Sequence, residues 1–165
     1  MALMTPVAGC KIAIGPAVDD VPDDADITLT EFTTGVTFVD IKNWQTMGSH
    51  GDSRTLITEN LISRARDYKM GGTTNGGSMQ NNFAIVRDDP GQIAVRTAAK
   101  TNFNYPVRIT YNDAPPGVGS TPTVEYFYAL IQSATEAGGG ANTTQMLNTT
   151  FEINSASVFV EADVA

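Results

Sequence analysis

Along this chain apolar residues recur mostly in short runs with a period of two, separated by clusters of Gly, Pro, Asn and Asp, which is the signature of strands joined by turns. Residues 11–14 predict a first short strand and residues 35–41 a second. Between them, residues 16–26 hold Asp19, Asp20, Asp23, Asp24 and Asp26 with two prolines and read as a solvated loop. Residues 42–52, KNWQTMGSHGD, follow neither period yet contain Trp44, Met47 and the only histidine, His50, so a long loop with hydrophobic cargo is expected.

Residues 54–70 predict one or two strands bent near Asn60. The glycine-rich stretch 71–77 then leads into a strand at 78–86, the pattern of a hairpin. Asp89 before Pro90, with Gln92 three residues on, is a helix start with the spacing of a capping box, and residues 93–100 predict the single helix, of about two turns. Val107, Ile109 and Tyr111 alternate with Arg108 and Thr110 as a half-buried strand, while residues 123–133 are apolar on both faces. The last long run puts Leu147, Thr149, Phe151 and Ile153 on one face and Asn148, Thr150, Glu152 and Asn154 on the other. Its pattern breaks near Ala156, as at a bulge or a change of neighbour. About eight short strands, one short helix near residues 90–100 and long loops make a mainly-β fold, a β-sandwich or partly closed barrel, in one domain spanning residues 1–165.

Charge and chemistry narrow the function. Ten Lys and Arg against eighteen Asp and Glu give a net charge of −8, which argues against a surface that grips phosphates. The single cysteine, Cys10, cannot build a disulfide framework, and Cys10 with His50 is a sparse inventory for nucleophile and base; no enzyme is expected. The acidic loop lacks the glycine and closing glutamate of a calcium hand, no lysine follows the paired glycines as in a phosphate cradle, and neither metal nor cofactor is expected. Two glycosylation patterns, at Asn142 and Asn148, carry meaning only in a secretory chain, and the stretch from Met1 to Gly15 does not read as a signal peptide. No apolar run reaches the roughly 20 residues of a membrane span.

Asp67-Tyr68-Lys69-Met70-Gly71-Gly72, then Asn75-Gly76-Gly77-Ser78-Met79, a strand ending at Asp88-Asp89-Pro90-Gly91-Gln92 and a short helix resemble, in content and order, the tail tube (major tail) proteins of long-tailed, non-contractile bacteriophages. The resemblance extends over nearly the whole chain and includes a closing hairpin of residues 123–133 with 145–160. Asn75 stands where such proteins often carry Asp, and residues 115–121 look like a local insertion.

The resemblance implies a structural virion protein, made in the host cytoplasm. It would form hexameric rings stacked into a tube, with a tape measure protein in the lumen, tail terminator and distal tail proteins at the tube ends, and DNA passing without specific binding. It further implies that the 42–52 loop, with Trp44, Met47 and His50, reaches a neighbouring subunit or ring. Asn148, Thr150, Glu152 and Asn154 are the lumen-facing candidates, because alternation lets only a strand with an apolar back present a polar wall. The competing reading is a secreted or surface β-sandwich binding module of adhesin or carbohydrate-binding type. That module would be expected to show export signals and a row of exposed aromatics, against only five Tyr and one Trp here.

Overall fold

The computed structural model of the protein describes residues 4–164, so Met1, Ala2 and Leu3 of the amino-terminal stretch lie outside the described residues. In chain order the elements are β1 (Lys11–Ile14), α1 (Leu29–Thr33), β2 (Val39–Ile41), β3 (Trp44–Thr46), β4 (Ser53–Glu59), β5 (Tyr68–Asn75), β6 (Ser78–Ala84), α2 (Pro90–Ala98), β7 (Asn104–Thr110), β8 (Val124–Ala137), β9 (Met146–Ile153) and β10 (Val158–Val160). All pairings are antiparallel. One eight-stranded sheet runs β2-β1-β7-β8-β9-β6-β3 with β10 added on β8, and β4 and β5 form a separate two-stranded sheet.

The period-two runs become strands because one face of each can be buried. β9 alternates without a break, burying Leu147, Thr149, Phe151 and Ile153. Opposite them Phe83, Met79, Phe127, Ile131, Ile109, Val107, Ile12, Ile14 and Ile41 fill the same core, and α2 closes it with Val95 and Ala98. The outer face of β8 is covered only in part. Phe32 of α1 stacks on Tyr126 and Tyr128, with ring centroids 5.3 and 4.7 Å apart.

The sheet is rolled. β2 and β3 are its two opposite edges, yet only Lys42 and Asn43 separate them in sequence. Three peptide steps reach at most about 11 Å, so the edges must meet at a corner. Asn43 takes a left-handed φ of 58° to make the turn. The meeting point is sealed by α2. Asp89 Oδ2 accepts from both Gln92 N, at 3.0 Å, and Lys42 N, at 3.2 Å. The Gln92 side chain is fully buried: its amide donates to Ala84 O (2.9 Å) and Lys42 O (3.2 Å), and its oxygen accepts from Val86 N (3.0 Å). Gln92 therefore does not turn back on the cap as a capping box would; it ties the edge corner at Lys42 to the end of β6. Gly91 lies so close to β2 that a Cβ there would overlap Asp40 O and come within 2.6 Å of Ile41 Cα.

The mainly-β expectation holds in its partly closed form, and several local expectations are corrected. A second helix, α1, exists: it spans five residues, and its N-cap Thr28 makes no side-chain cap bond, so it carried no start signal. The strand expected over residues 35–41 pairs only from Val39, because residues 34–38 arch outward to lay Phe38 beside Tyr126 and under Arg108. The 42–52 loop contains β3, paired to β6. The glycine-rich stretch does not turn a hairpin into β6. β5 pairs with β4, and the chain leaves it through Gly76, whose Cβ would collide with Ile153, and Gly77 at φ 79°, whose N–H bonds the Asn75 side chain. The break near Ala156 is a bulge within one sheet: β9 pairs Ile153 with Ala129 and β10 resumes at Val158 with Tyr126.

Replacing Gln92 by Leu keeps the volume but strands Lys42 O, Ala84 O and Val86 N; a loss of about 3 kcal/mol is expected, read as a lower urea midpoint at unchanged m.

Candidate functional site

Three surfaces carry the sequence-predicted residues or stand out by exposure. The first is the mouth of the rolled sheet, where the 42–52 segment lies. Asn81, fully buried on β6, accepts with Oδ1 from the Trp44 indole and from Gly48 N, both at 3.1 Å. Trp44 and Met47 thus pack against the core of their own chain. Gly48 crosses the Gln80 backbone so closely that a Cβ would overlap it.

His50 completes this lid. Both ring nitrogens face acceptors, Nδ1 toward Gly48 O at 3.2 Å and Nε2 toward Glu125 Oε2 at 2.9 Å, the geometry of an imidazolium. Glu125 is buried on β8, and the Tyr111 hydroxyl donates to the same oxygen at 2.6 Å. The bond to Glu125 holds the His50 pKa above its ordinary 6.5 despite burial. For Glu125, burial pushes the carboxyl up, but the bonds from His50, Tyr111 and Ser157 outweigh it and keep the pKa below its ordinary 4.5. The Tyr111 hydroxyl is raised, by burial first. Cys10 takes no part: its thiol donates to Pro6 O at 3.6 Å. Glu125 was missed by sequence reasoning, although it is the one charged position between Val124 and Ile131.

The second surface is the outer face of β6, β9 and the far half of β8. Asn148, Thr150 and Glu152 do share this face, flanked on β6 by Asn82, Gln80 and Ser78 and on β8 by Thr135 and Ser133. Asn154, just past the strand, is exposed and donates to Asn104 Oδ1 at 2.7 Å. Around Asn148, Thr150 and Glu152 the face is made of amides and hydroxyls, with Leu130, Ala84, Ala137 and Met146 at its margins and Glu152 as a carboxylate that accepts from Ser78 Oγ at 2.6 Å.

The third is the β4–β5 hairpin. Only Gly72 in its strands is even half-buried, and it exposes Leu56, Ile57, Leu61, Ile62, Tyr68 and Met70. Seven strand residues carry its tip roughly 20 Å from its base. Among the described residues, no helix is long and apolar enough to cross a membrane, and no cluster of metal-ligating side chains occurs.

The fold is thus a rolled antiparallel sheet with one helix sealing its corner and a projecting two-stranded hairpin. The chain is similar to a chain of the anti-feeding prophage baseplate, at TM-score 0.65 and 13% identity over 96% of this chain and 98% of that one. It is similar to the SPP1 tail tube, at TM-score 0.64 and 13% identity over 97% of this chain and 81% of that one. It is also similar to a chain of the sheath-tube complex of an extracellular contractile injection system, at TM-score 0.64 and 12% identity over 96% and 92%. No family model matches the chain, and no curated protein matches it by sequence. At these identities the likeness establishes the fold.

The lid should titrate. His50, raised above 6.5, contributes stability that is whole below pH 6.5 and is lost as pH rises through its folded value; Glu125, lowered below 4.5, contributes stability that is whole above pH 4.5 and is lost as pH falls through its own. The pair's contribution is therefore greatest between the two, and thermal melts across pH should show a maximum there that His50→Ala removes, at a cost of about 3 kcal/mol because Glu125 is left buried and less well paired.

Proposed function

We propose that the chain is a structural virion subunit, one domain that polymerises as stacked hexameric rings into the tail tube of a long-tailed, non-contractile bacteriophage, the conduit for DNA during genome ejection. The observation that carries this reading is a fold likeness to the SPP1 tail tube over nearly the whole chain. The likeness to a chain of a six-fold symmetrised baseplate supports the ring order.

Sheet edges support ring closure. β7 pairs β8 only as far as Leu130, so among the described residues β8 beyond that point has a strand neighbour, β9, on one side alone. A neighbour's strand added there would extend the sheet around a ring and satisfy open N–H and C=O groups. The polar face of Asn148, Thr150, Glu152 and Asn154 is the proposed lumen wall: hydroxyls and amides without a cation give a duplex nothing to bind, and Glu152 adds a repelling charge per subunit. A tape measure protein would occupy that lumen during assembly, with terminator and distal proteins at the ends. The reach to a neighbouring subunit or ring expected of the loop of Trp44, Met47 and His50 fits better on the β4–β5 hairpin, since Trp44 and His50 are hydrogen-bonded within their own chain and the hairpin's apolar residues are exposed.

Purified protein should form hollow tubes of constant diameter in negative-stain micrographs, and a protein that stays monomeric at all concentrations would overturn the reading. Replacing residues 54–74 by a short Gly-Ser turn should change stability by no more than about 0.5 kcal/mol, because almost nothing there is buried, yet abolish tubes. Glu152→Lys should assemble but retain short duplex DNA inside the tube, where wild-type tubes retain none; equal retention would place the Glu152 face elsewhere.

A further inference from the structure

The charge of the chain is unevenly divided. The segment from Ser53 to Asn75 carries Arg54, Arg64, Arg66 and Lys69 against Glu59 and Asp67, a net of +2 in a chain of net −8, which leaves −10 for the rest. Among the described residues none of these four cations has a carboxylate partner; the ion pairs present lie elsewhere, at Glu125, Glu136 and Asp40. Arg64 rests over the Tyr68 ring at 5.4 Å. At the tip, Leu61 is exposed and Ile62 fully so, with Arg64 and Arg66 just beyond.

A matching surface lies on the body. Beside the lid, Pro6, Val7, Cys10, Met47, Tyr111 and Phe159 line a mostly apolar cleft of about 330 Å³, at the lower end of the size of ligand pockets. Asp113 and Glu161 stand on its rim, and neither forms an ion pair among the described residues. Asp113 accepts from Thr123 N at 2.8 Å, which fixes its position, and the bonding from Thr123 holds its pKa below the ordinary 3.8, so it stays charged.

We infer that this cleft receives the hairpin tip of a second copy of the chain, Leu61 and Ile62 entering the apolar floor while Arg64 and Arg66 meet Asp113 and Glu161. A chain's own tip does not fill its own cleft, since Leu61 and Ile62 are exposed and no hairpin residue lines the cleft, so the contact joins different molecules. It is heterologous, tip to cleft, and leaves each molecule with one of each unused, the condition for an assembly that propagates. Apolar insertion supplies the burial and the charged rim sets the register and excludes wrong approach. The inference rests on the tube reading for its second copy and specifies the docking site that reading leaves open.

Cys10 on the cleft wall provides the test. Full-length Ile62→Cys protein, brought to assembly concentration and oxidised with diamide, should give a ladder of disulfide-linked oligomers on non-reducing gels, through the introduced thiol of one copy and Cys10 of the next. The ladder should vanish when Cys10→Ser is added, leaving at most linked dimers. In parallel, Arg64→Glu with Arg66→Glu should raise the concentration needed for assembly about tenfold, and Asp113→Arg with Glu161→Arg in the same chain should restore it. Tubes without a Cys10-dependent ladder, or without charge-swap rescue, overturn the docking while sparing the tube. A Cys10-dependent ladder from protein that forms no tubes upholds the docking and overturns the tube.

Discussion

The two-residue link between opposite edges of the sheet is the constraint from which the rest of the structure follows. β2 must lie beside β1, and β3 must lie beside β6, because each has only that partner to satisfy its backbone. With only Lys42 and Asn43 between them, both pairings can exist together only if the sheet curls until its edges touch. The curl leaves an opening at the corner that neither edge can close with hydrogen bonds of its own. The start of α2 occupies that corner: the Asp89 carboxylate and the Gln92 amide replace the missing ladder bonds, and Gly91 lets the helix come close enough to do so. The helix cap and the sheet closure are thus one feature, served by the same carboxylate oxygen.

Curling also sorts the surfaces. The concave side becomes the core and demands apolar residues, which leaves the convex side free to vary. Near β1, β7 and β8 the convex side is roofed by Phe32 and Phe38, and Arg108 bonds Asp40 at 3.1 Å. Across β9 and β6 the outward side chains from Ser78 to Asn82 and from Asn148 to Glu152 are polar and none is basic, with Ala84 and Met146 at the far end. One sheet therefore carries an anchored outer layer at one end and an uncovered, mostly polar face at the other. The hairpin is the reverse case: apolar and cationic, unburied and unpaired, it has the composition of an interface without a partner inside its own chain. An isolated two-stranded hairpin is marginal in water, so a partner over its apolar side chains would stabilise it.

What could be read from the sequence was what depends on a single strand or a single cap. β1 was bounded correctly because its apolar run stands alone between turn residues, and β9 because its alternation is unbroken over its whole length. Asp89 announced α2 because N-capping needs a short acceptor followed by proline, a local rule. The missed features all depend on what lies far away in sequence. α1 is too short to show a helical period and is held by Phe32 against aromatics nearly a hundred residues later. β3 is three residues whose strand character comes only from β6. The strand before Gly76 pairs backward to β4 rather than forward to β6, and at Gly76 the chain passes Ile153 too closely for a Cβ, a contact 77 residues away in sequence. The polar face of β9 was legible for the same reason as its core face, whereas Trp44 and His50 could not be assigned to core or partner because Asn81 and Glu125, which bond them, are 37 and 75 residues downstream.

This division explains how the fold can be shared with chains only 11 to 13% identical. The rolled sheet asks for alternation, which many sequences satisfy, and for a few polar groups at the corner. In this chain the lid is fixed by a buried carboxylate that needs a cationic partner to be tolerated. A buried ion pair adds little net stability over an apolar filling, but it accepts only one arrangement of the groups around it. Glu125 requires His50, His50 requires the turn at Gly48, and Gly48 requires Asn81, so the segment from Trp44 to His50 has one position rather than several. A wall of the apolar cleft, Met47, is part of that segment, and a surface meant to receive another molecule is the place where a single position is worth its desolvation cost.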